Sequence, residues 1–133
     1  LGNDWKYSPT NGTCDYESMD HTDKYVKGYY DVARNDTTAM KEALAMQPVK
    51  FSVDASTWKQ YESGIVNDTE CLVGTNHAVT AVGWGTAENG SEFWIIKNSW
   101  GPTWGAAGYI KIGIESGAGV CGIQEQPVQP QTN

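Results

Sequence analysis

The chain has few positive charges and no place where they gather. Nine Lys and Arg stand against sixteen Asp and Glu, giving a net charge of −7 and a pI of about 4.6. Nucleic acids are held by clustered cations, so no nucleic-acid partner is expected. An acidic balance suits an acidic compartment, where some carboxylates protonate and self-repulsion falls. No apolar run approaches the length of a membrane-spanning helix, so no membrane partner is expected. The opening residues, LGNDWKYSPTNG, lack both an initiating Met and the apolar core of a signal peptide. No C-x-x-C or H-x-x-H spacing occurs, and neither a metal nor another cofactor is expected. No Ser sits in a G-x-S-x-G elbow, which speaks against a stand-alone serine hydrolase. Internal repeats and low-complexity linkers are also lacking.

What is present reads as one globular domain over residues 1–133, with 39% hydrophobic and 19% charged residues. A chain of this size buries roughly two-thirds of its unfolded surface. Four N-x-Ser/Thr sequons, at Asn11, Asn35, Asn67 and Asn89, are glycosylation candidates, each outside the strongest periodic segments. Together with the missing Met they lead us to expect a processed chain on a secretory route. Three cysteines, Cys14, Cys71 and Cys121, leave one over if two pair in an oxidising compartment.

Periodicity supplies the elements. A polar, turn-rich entry is followed by a strand near Tyr25–Val32. Asn35–Gln47 reads as a helix: Asp36, Thr37 or Thr38 can cap it, and Met40, Ala43, Leu44 and Gln47 share a face. Pro48 stops it. Residues 49–54 alternate as a half-buried strand, with Val49, Phe51 and Val53 inward. A short helix is expected at Ser56–Tyr61 and an extended run at Ile65–Leu72 with a turn at Asn67-Asp68. His77–Trp84 and Phe93–Asn98 form a hairpin about Glu88–Ser91, with His77, Val79, Ala81 and Gly83 on one face. Tyr109–Ile114 alternates again, and 124–133 reads as an extended tail, loose at its end. The expected fold class is α+β: a predominantly antiparallel sheet, curled or barrel-like, with one or two short helices.

The chemistry concentrates in Asn76–Gly105, NHAVTAVGWGTAENGSEFWIIKNSWGPTWG. His77 opens the first strand of the hairpin and Asn98 ends the second, so both fall at the same open end. The Asn98 amide oxygen could accept from one imidazole nitrogen and free the other as a base for a nucleophile. Trp100 or Trp104 packed above the pair would exclude water and strengthen that bond. A plainer reading stands beside this one. A His at a strand end is commonly structural or solvated, Asn-Ser is turn chemistry, and Trp among glycines is core packing.

Three stretches, NHAVTAVGWG, FWIIKNSWGPTWGAAGYIKI and CGI, resemble the C-terminal half of papain-like cysteine proteases of the papain and cathepsin L type. The family landmarks are Asn/Asp-His-Ala/Gly, then Lys/Arg-Asn-Ser-Trp-Gly with a later Trp-Gly and Gly-Tyr, then Cys-Gly-Ile. All stand here in order, and WKYSPTNGTC is similar to the family's Tyr-Pro-Tyr…Cys segment, so the likeness covers essentially the whole chain.

The resemblance implies a β-rich right-hand domain, with residues 1–20 as an entry segment between domains. His77 matches the catalytic histidine and Asn98 the asparagine that orients it. Trp100 matches the tryptophan that shields them, and Trp104 follows it in the same motif. Asn76 matches a position where many members carry Asp, and its backbone carbonyl would bind substrate. Ser52 and Ala78 match walls of the pocket for the P2 side chain, and Gln126 its far end. Cys71 and Cys121 match a disulfide within this domain. Cys14 matches a cysteine whose partner lies in the other, helical left domain.

Two departures accompany the likeness. No Cys-Gly-x-Cys-Trp segment is present, so the nucleophile, and the glutamine of the oxyanion hole, would have to come from that left domain. Gln126 is polar where many members carry a small or apolar residue, which removes the expectation of a strictly apolar P2 preference. The function implied is half of a cysteine endopeptidase, lysosomal, vacuolar or secreted. Its partners would be the left domain, linked through Cys14, together with peptide or protein substrates and proteinaceous inhibitors. The alternative is a catalytically silent binding domain that keeps the fold.

Overall fold

The computed structural model describes residues 8–18, 26–67, 71 and 74–132. Seven strands and one α-helix are described: β1 (Val26–Asp31), α1 (Thr37–Met46), β2 (Val49–Val53), β3 (Ile65–Val66), β4 (His77–Thr86), β5 (Glu92–Lys97), β6 (Tyr109–Gly113) and β7 (Val128–Thr132). Short 3-10 turns lie at Tyr16–Ser18, Trp58–Gln60 and Val120–Gly122. One sheet holds all seven strands in the order β1-β7-β2-β4-β5-β6-β3. Every pairing is antiparallel except that of β3 with β6. Among the described residues the two outer strands, β1 and β3, do not pair with each other.

The helix begins where its cap is satisfied. Asp36 accepts from the backbone N–H groups of Thr38 and Ala39 at 2.9 and 3.0 Å, which settles the choice among three possible caps. Met40, Ala43 and Leu44 are buried as the spacing predicts. They join Val49, Phe51, Val53, Ala81, Trp94, Ile96, Ile110 and Ile112 in one core. Strand register explains the membership: Val49, Phe51 and Val53 stand opposite Ala81, Val79 and His77. The first residue of β4 is thus the continuation of the core face, and its imidazole emerges where the core ends.

Several elements differ from the sequence expectation. The extended tail is paired: 128–132 is a strand inserted between β1 and β2, and Asn133 lies outside the described residues. Its buried Gln129 donates to the Ala43 carbonyl at the end of α1, at 2.8 Å, and Gln47 donates to the Pro130 carbonyl. These bonds take up carbonyls in the last turn of the helix and in the middle of the strand, a long-range contact that the Gln/Pro-rich composition conceals. β2 is buried on more than one face, because Ser52 and Asp54 are also buried. The single face expected for His77, Val79, Ala81 and Gly83 breaks at a bulge. Ala81 pairs with Ile96 but Gly83 pairs with Ile95, so Val82 is the extra residue and Gly83 moves to the other face. The short helix expected at 56–61 is only the 3-10 turn at 58–60. Of the extended run at 65–72, β3 covers two residues; Asp68 and Leu72, like Tyr25 of the first expected strand, lie outside the described residues.

On the outer face of the β4–β5 hairpin a glycine leaves room for a ring. A Cβ on Gly85 would lie 2.8 Å from the Phe93 ring. Phe93 folds across that strand, with the Lys111 ammonium 4.8 Å above its centroid. Cys71 and Cys121 are joined by a disulfide, closing 50 residues of sequence between the chain before β4 and the turn after β6. In the chain-entropy account a loop of that length contributes roughly 3–4 kcal/mol. Cys14 is exposed and makes no disulfide within the chain.

Candidate active site

The open end of the β4–β5 hairpin assembles the site. His77 Nε2 lies 2.8 Å from Asn98 Oδ1. The Ser99 backbone N–H also donates to that oxygen, at 2.7 Å, which fixes the amide orientation independently of the histidine. An amide oxygen only accepts, so Nε2 carries a proton in this contact, and in the neutral ring Nδ1 is the bare nitrogen. Asn98 is 7% exposed, which shelters the bond from competing water.

Three indoles hold the imidazole in place. The Trp100 ring stands 5.2 Å from His77, tilted by 33°. Trp100 is 38% exposed, so it roofs the pair while presenting its own outer face to solvent. Trp104 meets Trp100 edge-on at 5.1 Å and donates its indole N–H to the Trp58 carbonyl at 3.3 Å. Trp58, fully buried, presents its edge to the imidazole at 6.4 Å. Sequence reasoning missed Trp58. It sits some twenty residues before the histidine, and only the turn after β2 brings it there.

The loop from Asn98 to Gly108 returns the two tryptophans over the histidine. Asn98 N–H donates to the Gly108 carbonyl at 3.0 Å, and Gly108 N–H to the Trp104 carbonyl at 2.7 Å. Gly108 adopts φ 91°, and a Cβ there would meet the Gly101 carbonyl at 3.3 Å, so the loop can close only on glycine.

The residues expected around the cleft are distributed unevenly. Ser52 and Ala78 are direct neighbours across β2 and β4, one register step from His77. Ser52 accepts from the Lys50 ammonium at 2.5 Å. Asn76 has its side chain turned onto the end of β2, where its Oδ1 accepts from Ala55 N–H at 2.9 Å. Gln126 is exposed and lines a depression of about 190 Å³ with Arg34, Asn35 and Glu125; Ser52 and Ala78 are not among its walls. A larger hollow of about 710 Å³ opens beside Trp104, between Lys59, Glu62 and Thr103. All four sequon asparagines are exposed, Asn89 at the hairpin turn with its Oδ1 accepting from Ser91 N–H.

A mostly antiparallel sheet with one helix is the architecture of the papain-like right-hand domain. The chain belongs to the papain family of cysteine proteases: the family model described as papain family cysteine protease matches residues 1–131. It is 39% identical over 128 residues to fruit bromelain of Ananas comosus, covering 95% of this chain and 36% of that protein. To vignain of Phaseolus vulgaris it is 37% identical over 133 residues, covering 97% and 36%. Among solved structures, bromelain from Ananas comosus in complex with the E64 inhibitor superposes with a TM-score of 0.86 at 39% identity, covering 98% of this chain and 61% of that one. The proform of the ragweed pollen cysteine protease Amb a 11 gives 0.89 at 32% identity, covering 99% and 41%. The chain thus spans little more than a third of the length of these curated relatives.

Proposed function

We propose that this chain supplies the general base and its orienting amide to a papain-like cysteine endopeptidase, and that a helical left domain supplies the thiol. The observation that carries this is the 2.8 Å bond from His77 Nε2 to Asn98 Oδ1, which leaves Nδ1 for the nucleophile. A cysteine brought against Nδ1 would give up its proton to the imidazole, and the resulting ion pair would depress the thiol pKa. The thiolate attacks the peptide carbonyl. Imidazolium at His77 then protonates the leaving amine, and the neutral ring activates the water that releases the acyl-enzyme. Trp100 and Trp104 shield the pair, Asn76 offers its carbonyl to the peptide, and Ser52, Ala78 and Gln126 bound the P2 pocket.

The sheet face turned away from the core supports a partner there. Lys50, Ala78, Val82, Lys97 and Tyr109 are exposed along it, and Ser52 and Ala78 lie on the same face. The left domain, tied through Cys14, would cover this surface and complete the cleft for peptide and protein substrates and proteinaceous inhibitors. The disulfide and the exposed sequons fit a vacuolar, lysosomal or secreted enzyme, with glycans at Asn11, Asn35, Asn67 or Asn89. The test is His77→Ala in the assembled enzyme, followed with a peptide substrate. Turnover should fall to background; near-normal turnover would mean a binding domain that has kept the fold without the chemistry.

A further inference from the structure

Lys50 is an unpaired cation on the wall that carries Ser52 and Ala78. The chain has a net charge of −7, yet among the described residues no carboxylate is paired with the Lys50 ammonium. Among those residues its side chain bonds only to Ser52 Oγ, at 2.5 Å. The two positions alternate along β2, so they share a face. That face continues on β4 with Ala78, opposite Ser52, and Thr80, opposite Lys50. Beyond Thr80 the next residue in the row is Lys97, a second cation. Asp54, further along β2, is engaged by Ser56 N–H at 3.0 Å and by the Asn76 carboxamide.

The bond to Lys50 sets what Ser52 can offer. An ammonium only donates, so Ser52 Oγ accepts from it and the Ser52 O–H is left to donate elsewhere. Two of the three ammonium N–H groups are left over as well. The wall therefore presents donors from both side chains and no carboxylate to receive them. Ser52 is 8% exposed, whereas Lys50 is exposed, so the ammonium lies where a bound group can reach it.

We propose that Lys50 is a specificity residue of the P2 pocket and that the enzyme favours peptides with Asp or Glu at P2. This rests on the proposed function, which makes Ser52 and Ala78 walls of that pocket. A carboxylate only accepts, so it answers a wall of donors that a Leu or Phe side chain would leave unpaired. Cover by a left domain would lower the local dielectric and strengthen the attraction. Gln126 is not needed for this selection, because its depression has neither Ser52 nor Ala78 among its walls.

The kinetic arm uses the assembled enzyme and two peptide substrates that differ only in carrying Glu or Leu at P2. The parent should cut the Glu peptide with the higher kcat/KM. Lys50→Met should lower the Glu-to-Leu ratio about tenfold or more, since a hydrogen bond to a charged group carries discrimination of that order. Lys50→Arg should keep most of the ratio, and Lys50→Glu should turn the preference towards Lys or Arg at P2. A second arm needs no turnover. Uncleavable versions of the two peptides, reduced at the scissile bond, are titrated by calorimetry into the parent and into Lys50→Met. The Glu peptide should bind the parent more tightly and lose that advantage in the variant. A parent that prefers the Leu peptide, or an unchanged ratio in Lys50→Met, overturns the assignment. An unchanged ratio together with poorer assembly overturns it too, because Lys50 then pairs with the left domain rather than with substrate. If His77→Ala is as active as the parent, the proposed function fails and the binding arm alone decides the role of Lys50.

Discussion

Replacing Asn98 with Ala separates orientation from binding. The Asn98 oxygen accepts two bonds, from His77 Nε2 at 2.8 Å and from Ser99 N–H at 2.7 Å. Alanine removes both acceptors in a pocket where the asparagine is 7% exposed. A buried donor left without a partner costs about 1–3 kcal/mol. If the His77 share falls on the transition state, kcat drops by about 5- to 150-fold, at 1.36 kcal/mol per tenfold. On the proposed function KM should hardly move, because Asn98 would reach the reaction only through the imidazole. The Ser99 share appears as lost stability, a fall in melting temperature of roughly 4 °C for each kcal/mol. Asn98→Asp should retain more kcat than Asn98→Ala, since a carboxylate still accepts both bonds. The assay is a pre-steady-state measurement of acylation with a peptide ester, run beside thermal denaturation. A kcat within twofold of the parent, or a raised KM at unchanged kcat, would refute the reasoning.

Removing the disulfide as the Cys71→Ala/Cys121→Ala pair should cost roughly 3–4 kcal/mol in denaturant unfolding, given the 50-residue separation; a loss below about 1 kcal/mol would mean the unfolded chain is already constrained. Gly85→Ala should destabilise by about 1–3 kcal/mol, because the new methyl would sit 2.8 Å from the Phe93 ring. Equilibrium unfolding checks this, and combining it with Phe93→Ala should remove most of the strain.

Local rules carried well where partners are close in sequence. The helix cap at Asp36 and the buried stripe of Met40, Ala43 and Leu44 follow from short-range spacing, and so does the hairpin that brings His77 and Asn98 to one end. They carried poorly where burial is decided by a distant segment. Ser52 and Asp54 read as the solvent side of an alternating strand, yet Asp54 is buried against Asn76 and the turn at Cys121.

By itself the sequence determined the family, the sheet-rich class and the pairing of an imidazole with a carboxamide, because each is written in patterns of ten to thirty neighbouring residues. Tertiary structure alone decided three things. It inserted β7 between β1 and β2 through Gln129 and the end of α1. It shifted the face of β4 at Val82, where one unpaired residue reverses everything after it. It also placed Trp58 beside His77 and Asp54 beneath Asn76. The physical reason is common to all three. A backbone ladder or a buried polar group is satisfied by whichever partner the fold delivers, and periodicity along the chain does not name that partner.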